Sequence, residues 1–252
     1  MLIDSLPACR FLACAALVSS FAYAILPAAA SGTFSDEVPE LRPAVGLEKQ
    51  PCAVPDAGYT FTRSIQGVIG EGRDAQTMCV DVLTHEDDLD QQRRLRIYTH
   101  GHELLADDNA VMCAGCGGVK GDPFRGLDIS HGELRVTNYG GSRTFWGETW
   151  VLTLRHGKWI LAGWDSWWGD GLGSERTTEN VNALVGKVDY GHVPPSTDED
   201  GKLIANGKHP LRYSCVLPAA WRLPPVQWIE SIRNSKDWQC PSTNNTAPSS
   251  QP

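Results

Sequence analysis

The chain has 252 residues, 22 Lys and Arg against 30 Asp and Glu, and a formal net charge of −8. That length supports one large domain, or a domain with an appendage, and either can bury a real core. The acidic balance argues against a nucleic-acid binder or a protein held on anionic lipid. It suits a basic protein partner, and it also serves plain solubility.

Residues 11–27, FLACAALVSSFAYAILP, form an apolar run behind Arg10. The run is too short and too rich in small residues for a permanent anchor, so residues 1–30 are expected to be a signal peptide. Ala22-Tyr23-Ala24 and Ala28-Ala29-Ala30 both resemble cleavage sites. The expected location is periplasmic or secreted, with no membrane contact beyond export. Loss of residues 1–30 removes one Asp and one Arg, which leaves the charge unchanged. It also leaves six cysteines: Cys52, Cys79, Cys113, Cys116, Cys215 and Cys240. An even number in an exported chain reads as disulfides, with 15 possible connectivities. Local pairing is the expectation adopted: Cys52–Cys79, Cys113–Cys116 and Cys215–Cys240.

Residues 31–58 hold Pro39, Pro43, Pro51 and Pro55 and read as a linker that docks through Cys52. Strands are expected at 59–69 and 78–83. The charged run HEDDLDQQRR at 85–94 lacks the glycine and spacing of a calcium loop and reads as a solvated loop. Then one device recurs three times. Strand residues flank His100-Gly101, His131-Gly132 and His156-Gly157. An X-Gly pair between strands signals a type I′ hairpin, whose two central residues need positive φ. Histidine is enriched at such positions, so three of the seven histidines have a structural role before any catalytic one. The pair His100 and His102 has no evident third ligand, and no metal or other cofactor is expected.

Leu134, Val136 and Asn138 share one face of a strand, and Trp150, Leu152 and Leu154 make an apolar face in the next. Val151 and Thr153 suggest partial cover on the other side. After the turn, Trp159, Leu161 and Gly163 continue the alternation. The result is a mainly β protein: an antiparallel meander, sandwich or propeller-like, over residues 59–190. Residues 191–240 read as a disulfide-stapled appendage with one short helix near 225–233, and 241–252 as a disordered tail.

No catalytic constellation is evident. Cys113-Ala114-Gly115-Cys116 lies in a glycine-rich loop and not at a helix start, which favours a structural disulfide over a redox dithiol. Asp122, Asp128, Glu133 and Glu148 are close in sequence, but a meander does not by itself set two of them across a cleft as a glycosidase needs. The aromatic residues point to binding instead. Trp167 and Trp168 fall in the glycine-rich DSWWGDGLG, expected to be a loop, while Tyr139, Ser142, Arg143 and Trp146 flank the expected GGS turn. These six are the candidate partner-binding residues.

The run DNAVMCAGCGGVKGDPFRG at 108–126, followed by NYGGS at 138–142 and by 150–154, 158–162 and 184–187, resembles a family of small secreted or periplasmic bacterial β-proteins. Most of its members carry no assigned activity. Some similar proteins are inhibitors or immunity proteins that plug the cleft of a peptidoglycan-cleaving toxin with a loop on a β-scaffold. Several relatives also carry calcium-binding repeats, where this chain has only HEDDLD. The resemblance implies a non-enzymatic binding protein whose partner is a basic cell-wall hydrolase or toxin. The alternatives are a peptidoglycan- or glycan-binding module and a glycoside-cleaving enzyme using Asp122 or Glu148.

Overall fold

The structure is a computed structural model that describes residues 47–48, 50–171, 175–197, 200–204 and 211–235. The expected signal peptide, most of the linker, Cys240 and the tail lie outside the described residues. The fold is mainly antiparallel β, as expected. One sheet has the order β1-β2-β3-β4-β5: β1 (Leu47–Glu48), β2 (Tyr59–Ile69), β3 (Gln76–His85), β4 (Arg93–Thr99) and β5 (His102–Asp107). A larger sheet takes β6 (Phe124–Ser130), β7 (Glu133–Gly141), β8 (Thr144–Arg155), β9 (Lys158–Asp170), β10 (Arg176–Asn182) and β11 (Lys187–Val193) in chain order. The short pair β12 (Ser196–Thr197) and β13 (Leu203–Ile204) follows, and β14 (Leu211–Val216) then returns to pair with β11. A 3-10 turn, Val226–Trp228, leads into helix α1 (Ile229–Asn234).

The three histidine-glycine turns have the geometry their sequence demands. His100, His131 and His156 adopt φ of 48°, 53° and 52°, and Gly101, Gly132 and Gly157 follow at 78°, 78° and 69°. Each closes a two-residue hairpin, with Thr99 opposite His102, Ser130 opposite Glu133 and Arg155 opposite Lys158. Primed turns match the right-handed twist of the strands they join, and they set the register of everything that follows.

Both sheets feed one core. Ile65, Ile69, Val80, Val82, Leu95 and Ile97 from the first meet Leu127, Leu134, Val136, Trp150, Leu152 and Trp164 from the second. β2 lies close against β6, where a side chain at Gly67 would collide with Ile129. The second face of β3 is buried too, through Asp81 and Leu83. Asp81 accepts the Cys52 N–H with both carboxylate oxygens at 3.0 Å, Ser64 Oγ donates to the Gln50 carbonyl at 2.7 Å, and Cys52 is disulfide-bonded to Cys79. The end of the linker is therefore docked, as its cysteine suggested. Burial pushes the Asp81 carboxyl above its usual range, opposed by the backbone N–H groups of Cys52 and Ala53 and by Arg96.

Three sequence expectations change. The bulge between Val151 and Leu152 places Leu152 opposite Leu161 but Trp150 opposite Trp164. Leu161 and Trp164 thus share the core face, and Gly163 turns to the other side, because one extra residue reverses the alternation. Next, β9 runs to Asp170, so Trp167 and Trp168 are strand residues and not a loop. β8 extends equally far toward its start, and the pairing of the two strands supplies the backbone partners that a loop would lack. Last, part of residues 191–240 belongs to the main fold. β14 is the edge strand of the larger sheet, and Leu217, Val226, Ile229 and Ile232 are buried in its core. Helix formation at 225–233 divides into the 3-10 turn and α1.

Cys113–Cys116 is also a disulfide, and Cys215 is disulfide-bonded, while its expected partner Cys240 lies outside the described residues. Disulfides belong to an oxidising, extracellular or periplasmic environment. No helix among the described residues is long and apolar enough to cross a membrane. The Cys52–Cys79 bridge spans 27 positions. Replacing both cysteines with alanine is expected to lower stability by about 3.5 kcal/mol on loop-entropy grounds, read as a drop in the urea midpoint against the oxidised parent.

Candidate functional site

Cross-strand register assembles the candidate site. Directly opposed residues in an antiparallel sheet share a face. One row of the larger sheet, Val136, Trp150, Trp164, Val181, Val188 and Cys215, is core. Two residues along each strand, the same face carries Asn138, Glu148, Ser166, Glu179, Tyr190 and Tyr213. Two further along it carries Gly140, Trp146, Trp168, Thr177, His192 and Leu211. The face changes from apolar to polar and aromatic over only four residues.

Over β9, β10 and β11 this polar end opens as a cleft of about 320 Å³, lined among others by Trp168, Glu175, Glu179, Tyr190 and His192. Glu179 is 8% exposed and accepts a hydrogen bond from Ser166 Oγ at 3.0 Å. Thr177 Oγ1 and His192 Nδ1 are 3.3 Å apart. Trp168 forms the exposed lip. Tyr190 packs against Tyr213 with ring centroids 4.7 Å apart. Burial, then Tyr190 and Glu179, push the Tyr213 hydroxyl above its usual range.

At the opposite end of the same rows, the Ala114–Lys120 turn lies over Gly140 and Gly141. A side chain at Gly140 would collide with both the Trp146 ring and the Gly117 backbone. This close approach is what the paired glycines permit. The turn is braced by Cys113–Cys116 and carries Val119 at 85% exposure, with Lys120 over the Phe145 ring at 4.9 Å. Trp146 and Trp168 are therefore opposed neighbours between a braced turn and an open cleft.

The six sequence candidates divide between two faces. Trp146 and Trp168 share the cleft face. Tyr139 and Trp167 lie on the other, where their rings stack at 5.5 Å and Arg125 covers Tyr139 at 5.2 Å. Gly147 makes room for the Trp167 ring. Ser142 and Arg143 form the β7–β8 turn, where Ser142 N–H donates to the Thr144 carbonyl. Sequence reading missed Glu175, Glu179, Tyr190 and His192. Glu175 precedes β10, and the strands of the other three, RTTENVN and KVDYGHV, have little apolar periodicity because one face lines a cleft.

Asp122 and Glu148, the carboxylates considered for glycoside cleavage, are both held by arginine. Asp122 pairs with Arg93 through two bonds of 2.6 Å, and its carboxyl is lowered: burial opposes this shift, while the Arg93 bonds drive it. Glu148 accepts from Arg233 at 2.6 and 2.9 Å, from Asn138 at 3.0 Å and from Trp150 Nε1 at 2.9 Å. Both carboxylates are therefore engaged in ion pairs. Arg93, Arg94 and Arg96, at and beyond the end of the charged run, are likewise in ion pairs, with Asp122, Asp108, Asp56 and Glu103. The cluster Cys52, Cys79 and Asp81 has ligand-type atoms within 4.8 Å, but its sulfurs are bonded to each other. The chain matches no family model, no curated protein and no solved structure.

Arg233 also covers the Trp150 ring at 5.5 Å and donates to the Asn109 carbonyl at 2.9 Å. It fastens α1 beside the site. Arg233→Met is expected to cost about 2–3 kcal/mol, because Glu148 remains buried without its counter-charge. Adding Glu148→Gln should recover much of the loss, and a denaturant double-mutant cycle measures the coupling.

Proposed function

We propose that this is an exported, non-enzymatic binding protein that acts as an inhibitor or immunity protein against a basic cell-wall hydrolase or toxin. The observation that carries the proposal is the continuous end face on which the braced turn with Val119, the Trp146–Trp168 pair and the cleft lie side by side. Rigid turns and partly exposed tryptophans are features of high-affinity protein interfaces, where a few such residues supply most of the energy. The net charge of −8 favours a basic partner and speeds encounter with it. The sequence resemblance points the same way, and the disulfides are in keeping with a periplasmic or secreted location.

The test is capture from periplasmic and secreted fractions with the exported chain, followed by activity assay of what is recovered. One stoichiometric cell-wall hydrolase whose activity falls on binding is the expected result. Trp168→Ala should weaken that binding by about 30-fold, a loss of about 2 kcal/mol, while the melting curve stays within a degree or two of the parent. Full affinity in this variant and in Val119→Ser and Trp146→Ala would remove the end face from consideration.

A second reading has its own observation. The stacked Tyr139 and Trp167 on the opposite face, beside Thr137, Thr149 and Asp165, form an aromatic platform of the kind that binds sugar rings. Retention on purified peptidoglycan that disappears in Trp167→Ala would establish a glycan-binding module instead. Clean flow-through of the parent chain would eliminate it.

A further inference from the structure

The face of the larger sheet opposite the cleft ends in an alternation of rings and glycines. One row across β7, β8 and β9 reads Tyr139, Gly147 and Trp167, and the next row outward reads Gly141, Phe145 and Gly169. Every ring therefore has a glycine beside it. A side chain at Gly147 would collide with the Trp167 indole, so that ring lies over bare backbone, with Tyr139 stacked against it at an interplanar angle of 29°. All three rings are partly exposed. Two cations border them. The Lys120 ammonium stands over the Phe145 ring at 4.9 Å. Arg143 lies in the β7–β8 turn, and its carbonyl accepts the Gly171 N–H at 2.6 Å beside that same ring. Both side chains are exposed, and neither is in an ion pair among the described residues. The acids around them are engaged: Asp122 is held by Arg93, and Asp165, one row inward of Trp167, accepts from Asn180.

We propose that this tip binds a sugar ring that carries a carboxylate, the N-acetylmuramic acid unit of a cell-wall glycan. The inference rests on the aromatic platform of the second reading above and adds the charge that selects among sugars. The apolar face of the sugar stacks on Trp167 and Tyr139. Two residues along a strand span about 6.6 Å, which sets the Phe145 row, with Lys120 and Arg143, within reach of a carboxylate on a short ether arm of that sugar. A neutral sugar would keep the stacking and forgo the charge. The molecule as a whole, at net charge −8, repels an anion at long range, so the preference arises only at contact.

The probe is N-acetylmuramic acid, titrated into the full exported chain labelled with ¹⁵N. Its methyl ester keeps the arm and loses the charge, and N-acetylglucosamine lacks the arm altogether. Saturable shifts of the Trp167 indole N–H are expected with all three, and the acid should bind about tenfold tighter than its ester, since each exposed charge contact contributes about threefold. Arg143→Gln and Lys120→Gln should each reduce that acid-to-ester ratio by about threefold, and the double variant should bring it close to one. The ratio is taken within each variant, so a general loss of stability leaves it unmoved. Equal binding of acid and ester overturns the inference and leaves the aromatic platform standing. A preference for the acid that survives in the double variant also overturns it, since other groups would then read the charge. No saturable shift with any of the three sugars removes the platform and the inference together.

Discussion

The pairing of β8 with β9 is the constraint on which the remaining structure depends. It starts from the His156-Gly157 turn, whose two positive φ angles fix which residues face each other. A slip of one residue would move every side chain of a strand to the opposite face. The bulge at Val151 and Leu152 then makes one deliberate shift of phase, so that Leu161 and Trp164 both reach the core. From there the pairing continues to Thr144 and Asp170. That continuation carries Trp146 and Trp168 to one face and Trp167 to the other. With ring-sized side chains, this sorting decides where a partner can touch the molecule.

The same face serves packing at one end and, in the function proposed here, recognition at the other. The Trp150–Trp164 row is covered by core residues that include Ile229 and Ile232 of the C-terminal segment. Glu148 lies at the boundary. Its carboxylate is satisfied by Asn138, Trp150 and Arg233, so a charge that would be costly in the core becomes the anchor of α1. One row further, Glu179 is held by Ser166 and opens on the cleft. The packed core and the proposed binding face are thus divided by position along the strands and not between separate domains.

Much of the fold was legible from residues alone. The X-Gly dipeptides announced their turns because only a narrow range of backbone angles closes a two-residue hairpin. Leu134, Val136, Trp150 and Leu152 announced a core face because strand side chains alternate. The candidate site was only half legible. Trp146 and Trp168 were found through their chemistry. Glu175, Glu179, Tyr190 and His192 were not, since polar strands that line a cleft lack the periodicity that marks a core. Trp167 and Trp168 passed for loop residues because the glycines after them elsewhere break strands, whereas here Gly169 and Gly171 allow close approach of the backbone of Glu175 and Arg143.

The sequence by itself determined an antiparallel meander with three primed hairpins and an acidic balance, and its preference for local pairing picked out the Cys52–Cys79 and Cys113–Cys116 disulfides. Each of these follows from neighbours a few positions apart or from composition. Tertiary structure alone decided which strands extend, which tryptophans share a face, and that Glu148 belongs to Arg233, 85 positions away. It also brought Trp168, Glu179 and Tyr190 to one cleft. These outcomes depend on cross-strand register and on packing between distant segments, and no local pattern of residues encodes either.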